Sequence, residues 1–99
     1  MSLINQDNQT ISVIVRDRSG ILFEGRVDSL TSTNEKGGFD ILPLHANFIS
    51  LIHTFLEIRQ NEKISRTIEL GTGVLSVRES GAEVYLGILH ELEPRIKNV

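Results

Sequence analysis

The chain has 99 residues, the length of one ordinary domain, and its apolar fraction of 39% and charged fraction of 23% exclude an intrinsically disordered polymer. It has no cysteine, which excludes disulfides and thiolate metal sites, and no apolar run of about 18 residues that would cross a membrane as a helix. A net charge of −3 disfavours a nucleic-acid surface, so we predict no nucleic-acid partner.

The first third of the chain has the pattern of extended structure. Residues 1–9 form a polar tail without the basic and apolar regions of a secretory signal, which makes the cytoplasm the default compartment. Residues 10–16 alternate, with Ile11, Val13 and Val15 on one face, as in a strand with one buried side. After a turn-like segment at residues 17–20, an extended stretch follows over residues 21–33. Gly25 lies inside it and predicts a bulge or bend.

The rest of the chain is organised around residues 37–50, which read G-G-F-D-I-L-P-L-H-A-N-F-I-S. The strongest turn signal, residues 33–38, precedes a short strand at residues 39–42. Pro43 ends that strand because proline has no N–H to donate to a ladder. The small and polar residues that follow predict an exposed loop, and such loops carry function more often than strands do.

Short extended segments continue to the end of the chain. Polar or glycine-containing turns separate them, and the segments lie at residues 48–52, 54–59, 64–70, 74–78 and 82–88. Gly71 and Gly73 predict close backbone approach or positive φ. About eight segments in all, and no sustained helical period, predict an all-β antiparallel sandwich or flattened barrel. It forms one domain over residues 1–99, with its core in residues 11–88 and short tails at 1–9 and 89–99.

No motif in the chain predicts catalysis or a cofactor. The three histidines, His45, His53 and His90, do not have metal-ligand spacing, so a metal site would require the fold to bring them together. There is no G-x-S-x-G elbow, and the G-x-G at Gly71 lacks the third glycine of a dinucleotide site. A small enzyme using His45 with Asp40 stays open behind an interaction module and a small-ligand binder.

A family resemblance rests on five stretches taken together: I-L-F-E-G-R-V-D-S-L, G-G-F-D-I-L-P-L-H-A, F-L-E-I-R, L-G-T-G-V-L-S-V-R and E-V-Y-L, which begin at residues 21, 37, 55, 70 and 83. In this order and spacing the chain resembles the N-terminal β-sandwich domain of the epsilon subunit of F-type ATP synthases. It departs from the family's usual loop at Lys36 and Gly38, where the family has acidic residues, and at Asp40, Leu44 and Asn47. Residues 89–99 are too few for the helical hairpin that usually follows, so the resemblance is to a short form, natural or shortened.

The resemblance implies about ten short strands in two sheets and a non-catalytic subunit of the central stalk. Such a subunit couples gamma to the membrane c-ring for ion-driven rotary ATP synthesis, and is peripheral to the cytoplasmic face of a bacterial-type membrane. Whether the ion is a proton or sodium is left open, as is a free-standing adaptor or small-ligand-binding sandwich outside the synthase. The resemblance places two sets of residues at interfaces: Asn34, Glu35, Lys36, Gly37 and Gly38 toward the c-ring, and Asp17, Leu44, His45, Asn47 and Ser50 toward gamma.

Overall fold

A computed structural model describes residues 10–44 and 46–87, and within these ranges all the regular structure is β-strand. The seven strands are β1 (Ile11–Asp17), β2 (Gly20–Val27), β3 (Ser29–Asn34), β4 (Gly37–Ile41), β5 (Phe48–Gln60), β6 (Lys63–Arg78) and β7 (Gly81–Leu86). The described part of the chain contains no helix long and apolar enough to span a bilayer.

The strands form one mixed sheet in the order β2-β1-β7-β6-β5-β3-β4. Every neighbouring pair is antiparallel except β1 and β7, which run parallel with Val13 opposite Ala82 and Arg16 opposite Tyr85. Alternation decides which side of each strand is buried. In β1 the side chains of Ile11, Val13 and Val15 face the core, and β7 alternates in the same way.

Two strands of unusual length turn this single sheet into two layers. The first half of β5 pairs with the second half of β6, next to β7, β1 and β2, whereas the second half of β5 lies between β3 and the start of β6. The register shifts between His53 and Thr54, and Thr54 has a φ of 77°. Ser32 and Thr33 of β3 donate hydroxyl hydrogen bonds of 2.6 and 2.8 Å to the carbonyls of Phe55 and His53. The carbonyls on either side of the bend are therefore satisfied by side chains, as buried backbone groups must be.

The two layers enclose a single core and meet along β2. The buried core is one cluster, with Leu75 and Val84 from one layer packed with Leu56 and Ile58 from the other. Side chains from the end of β5 and the start of β6 reach the carbonyls of β2: Gln60 Nε2 donates to Arg26 O and an Arg66 guanidinium N–H to Leu22 O, each at 2.8 Å. The result is a two-layer body made from one continuous sheet.

The all-β sandwich predicted from the sequence is confirmed, but the strands are fewer and longer than the ten short ones implied. The predicted segments at residues 48–52 and 54–59 are one strand, as are 64–70 and 74–78, because the backbone bends at Thr54 and near Gly71 without ending the ladder. The stretch 21–33 divides instead, at Asp28.

One local prediction and one prediction about the sheet are wrong. Gly25 is not a bend: it pairs in register with Val13, and the irregularity in β1–β2 lies beyond it, between Val15 and Arg16. The sheet is mixed and not purely antiparallel, because β7 returns beside β1 in the same direction. Residues 1–9 and 88–99, which include both predicted tails, lie outside the described residues.

Candidate partner-binding surfaces

The residues predicted to face the c-ring form a tight hairpin turn between β3 and β4. Asn34 and Gly37 are paired across it, and the exposed side chains of Glu35 and Lys36 occupy the two loop positions. Asn34 Oδ1 accepts a 2.9 Å hydrogen bond from the backbone N–H of Lys36, and Gly37 adopts a φ of 119° that a side chain would disfavour. The turn is therefore stabilised by a hydrogen bond between its own residues, and the charged side chains of Glu35 and Lys36 are exposed.

Ser50, predicted for the gamma side, lies beside this turn. Asn34 Nδ2 donates to Ser50 Oγ at 3.1 Å, and Ser50 Oγ donates to the carbonyl of Leu51 at 3.0 Å. Between the turn and the first half of β5 there is a groove of about 350 Å³, with His53 also in its wall. The structure thus joins one residue of the predicted gamma set to the predicted ring set.

Leu44 and Asn47 lie in the loop between β4 and β5, at a different place. Leu44 is 84% exposed with a φ of 65°, and Asn47 is exposed. Leu42 and Leu44 line a cavity of about 310 Å³ with Thr10 and Arg78, at the end of the sheet where β1 begins. His45 lies outside the described residues, so its predicted role stays a prediction. The loop therefore presents two nearby leucines to solvent, Leu42 at 55% and Leu44 at 84% exposed.

Asp17, the last predicted gamma residue, lies at the far end of β1. It contributes to a cavity with Leu22 and Gly71, whereas Leu44 is near Thr10 at the start of the same strand. A seven-residue strand spans roughly 20 Å. The structure therefore does not bring Asp17 together with Leu44, and the predicted gamma set is divided among three places.

The geometry around Asp17 shows a structural use for its carboxylate. Oδ1 accepts hydrogen bonds from the Ser19 hydroxyl at 2.6 Å and from the Ser19 N–H at 2.8 Å, within the turn that joins β1 to β2. These bonds favour the charged form and lower the pKa of Asp17 below its ordinary value of 3.8.

Replacing Asp17 with Ala should lower the melting temperature of the domain at pH 7. The difference from wild type should become smaller as the pH falls. A carboxyl whose folded pKa is lowered stabilises the fold above its unfolded pKa, and this contribution is lost as the pH falls through the folded value, here below 3.8. Melting temperatures of wild type and Asp17→Ala at pH 7 and pH 2 test this. A difference that persists undiminished at pH 2 would contradict it.

Asp40, one member of the candidate catalytic pair, has a partner on the neighbouring strand. Asp40 accepts a 2.6 Å hydrogen bond from Thr31 on the neighbouring strand. Among residues 10–44 and 46–87 there is no group of three potential metal-ligating side chains, and His90, like His45, lies outside these ranges. The pairing of Asp40 with His45 and any metal site at His45 or His90 therefore stay predictions.

Sequence reasoning missed the exposed apolar side chains of β5. Ile49 is 69% exposed and Leu51 50% exposed, both on the outer face, while Ile52 is fully buried. The run F-I-S-L-I carries an outward pair at positions 49 and 51, but an almost continuous apolar stretch does not reveal which face is covered.

A polar cluster completes that outer face. Arg16 lies over the ring of Tyr85, 5.7 Å from its centroid, and one of its terminal nitrogens is 4.0 Å from a carboxylate oxygen of Glu83. The Tyr85 hydroxyl donates to Glu83 at 2.7 Å, and this bond to the carboxylate is the main cause of the raised pKa of Tyr85. The centre of the face is thus occupied by polar contacts, and its exposed apolar side chains lie toward the sides.

Comparison with known proteins assigns the described sandwich to one family of domains. Residues 10–89 match the family described as ATP synthase, Delta/Epsilon chain, beta-sandwich domain. The chain is 35% identical over 75 residues to the ATP synthase epsilon chain of Leptospira borgpetersenii serovar Hardjo-bovis, and 31% identical over 74 residues to that of a Nitratiruptor species. These matches cover 75% and 74% of the chain but 57% of each relative, so the chain spans little more than half their length.

Two solved structures share the fold at low sequence identity. A chain in the cryo-EM structure of the Tetrahymena thermophila mitochondrial ATP synthase, central stalk and c-ring, is similar with a TM-score of 0.64 and 14% identity. The match covers 80% of this chain and 64% of that one. A chain of the Euglena gracilis mitochondrial ATP synthase, OSCP/F1/c-ring, is similar with a TM-score of 0.71 and 13% identity, over 91% and 62% of the two chains.

Proposed function

The chain belongs to the ATP synthase delta/epsilon beta-sandwich domain family, and from this premise we propose that it is a non-catalytic subunit of the central stalk of an F-type ATP synthase. In this role it links the gamma subunit to the membrane c-ring, so that rotation driven by ion flow reaches the catalytic head. It is peripheral to the membrane, on the cytoplasmic side in a bacterial cell. The observation that carries the proposal is the family match over residues 10–89, nearly the whole described sandwich.

The relatives and the surface both support this function. The two relatives are epsilon chains by name, and one similar solved structure is a central stalk with its c-ring. The exposed turn at Glu35 and Lys36 supplies charged tips for the ring, and the exposed Leu44 supplies an apolar contact for gamma. Leu44 replaces the glycine usual in the family's loop, so we expect the gamma contact here to be more apolar at this position.

The body of the domain is suited to transmitting torque. β5 and β6 run without interruption through both layers, so neither layer can slide without breaking ladder hydrogen bonds. Close-packed interiors transmit strain because their side chains have little free volume. Such a subunit acts through buried contacts at its interfaces, where a few central residues usually dominate the binding energy.

The direct test is binding to a gamma subunit from the same source. We expect the full chain to co-purify with gamma and to bind it in a titration. Leu44→Asp should weaken that binding at least tenfold, because a carboxylate would be buried without a partner in an apolar contact.

The matched control is Ile64→Asp, because Ile64 is also exposed, at 52%, and lies on β6 away from the loop. It should leave the affinity for gamma unchanged. Failure of the wild-type chain to bind gamma would overturn the proposed function, and equal affinity of wild type and Leu44→Asp would remove Leu44 from the interface.

A further inference from the structure

The core is open at one end of the sandwich. A cavity of about 260 Å³ lies where the start of β2, the bend of β6 and the end of β7 meet, and the apolar side chains in its wall are Leu22, Ile68, Leu70 and Leu86. The first three are half-buried and pack against the core cluster, to which Leu86 belongs. The described strands therefore cover these apolar side chains only in part.

The strands around this cavity do not close it. Among the described strands, β2 and β6 are not neighbours in the sheet, and the first half of β6 pairs only with β5. The Arg66 guanidinium joins the two strands by its 2.8 Å hydrogen bond to the carbonyl oxygen of Leu22. A single side chain thus connects the layers where a ladder would have covered the core. Further cover would be favourable, because apolar surface is stabilised by removal from water.

The chain itself leaves the last strand at this cavity. Gly87 lines the cavity and has a φ of 82°, a turning conformation that glycine adopts without strain. The next two residues in the sequence are Ile88 and Leu89, and the residues after them, H-E-L-E-P-R, are mostly charged or polar. An apolar pair therefore follows directly at the mouth of the cavity, where its attachment to the chain gives it a high effective concentration.

The size and lining of the cavity suit aliphatic side chains. Its volume of about 260 Å³ is several times the roughly 30 Å³ that one water molecule takes up in the liquid. The polar side chains in the wall are Asp17, Glu69 and Thr72, and Asp17 accepts its hydrogen bonds within the β1–β2 turn. A separate protein or a second copy would have to compete with an apolar pair that is attached at the mouth.

We propose that Ile88 and Leu89 turn back into this cavity and close the open end of the core. Their side chains pack against the half-buried Leu22, Ile68 and Leu70. The segment that follows β7 is then held at the end of the sheet opposite the β4–β5 loop, which it leaves free for a partner. This closure is a property of the domain alone and does not depend on the proposed function.

The first test places the same charge at two leucines of this segment in the full chain. Leu89→Asp is the cavity variant, and Leu92→Asp is the matched control because Leu92 lies three positions further on, between two glutamates. We expect Leu89→Asp to lower the melting temperature by at least about 5 °C, since a carboxylate among apolar side chains has no partner. Leu92→Asp should melt as wild type does. Wild-type melting of Leu89→Asp, or an equal loss in both variants, would overturn the proposal.

The second test is a double-mutant cycle, which locates the contact with milder substitutions. Leu70→Ala and Leu89→Ala are made singly and together in the full chain, and the equilibrium constants of unfolding are measured in urea. The combined effect should be smaller than the product of the single effects by at least about twofold, because either truncation alone already removes the contact between the two side chains.

The control cycle combines Leu89→Ala with Leu44→Ala, since Leu44 is 84% exposed and lies at the other end of the sheet. Its two effects should simply multiply. Independent effects of the Leu70 and Leu89 truncations would overturn the proposal. Dimerisation of the wild-type chain that Leu89→Asp abolishes would also overturn it, because the cavity would then hold the segment of a second copy.

Discussion

Shortening either Leu75 or Leu56 to Ala is expected to lower the free energy of unfolding by about 2–5 kcal/mol and to leave a single cooperative transition. Leu75 lies in the β6 half that pairs with β7, and Leu56 in the β5 half that pairs with β3. Both side chains are fully buried in the same core cluster. Each truncation leaves a cavity that close-packed neighbours fill only in part.

This result tests the prediction that residues 1–99 form one domain. Urea unfolding followed by circular dichroism and by tyrosine fluorescence should give coincident curves for wild type and both variants. Ile64→Ala is the control, because a side chain that is 52% exposed leaves little cavity, and its effect should be below about 0.5 kcal/mol. Two separable transitions, with each variant shifting only one, would show that the layers unfold independently.

Replacing Gly73 with Ala is expected to destabilise the domain by about 1–3 kcal/mol through overpacking. A Cβ at this position would be 2.8 Å from a methyl carbon of Leu86, 3.2 Å from the carbonyl oxygen of Tyr85 and 3.4 Å from Ile52. The leucine methyl has some freedom to move, but the Tyr85 carbonyl belongs to the β7 ladder and does not. For a domain of this size, such a change lowers the melting temperature by about 4–8 °C per kcal/mol.

Gly25→Ala is the matched control for Gly73→Ala. Gly25 also lies within a strand, but a Cβ there would meet only Phe23 and Gln60 side-chain atoms, at 3.5 Å or more. Alanine also restricts the unfolded chain, so this variant should be as stable as wild type or slightly more stable. A melting temperature for Gly73→Ala equal to that of Gly25→Ala would show that the neighbours of Gly73 accommodate the added methyl group without loss of stability.

The turns can be predicted from sequence because their chemistry is local. The segments around Asn34, Asn61 and Ser80 are polar or contain glycine, and each lies in a hairpin turn of the structure. The sequence predicts close approach or positive φ at Gly73, and the structure shows the close approach. Such signals are read from a few adjacent residues and need no knowledge of the partner strand.

The bends cannot be predicted because the residues that make them have no local signature. Thr54 takes a positive φ that β-branched residues rarely adopt, and it is held there by hydroxyls from Ser32 and Thr33, about twenty positions earlier in the chain. Asp28 ends β2 through a contact with the backbone of Arg59. In both cases contacts with a distant strand determine the local conformation, so the neighbouring residues in the sequence do not predict it.

In the candidate surfaces, too, some features are predictable from local sequence and others depend on distant strands. The turn from Asn34 to Gly38 is predicted correctly as a turn, and Leu44 as a loop residue, because glycine and Pro43 mark them. The apolar edge at Ile49 and Leu51 escapes prediction, because its exposure depends on where β3 stops pairing with β5. Asp17 and Leu44 are far apart because they lie near opposite ends of β1. The residues around Asp17 do not indicate which end of the strand lies near Leu44.

The parallel pairing of β1 with β7 has a practical consequence for labelling and fusion. Since both strands run the same way, the described chain enters at Thr10, beside Leu44, and leaves at Gly87, beside Asp17, at opposite ends of the sheet. A fluorophore or affinity tag introduced near Gly87 would stay clear of the loop at Leu44, whereas one introduced near Thr10 would crowd it.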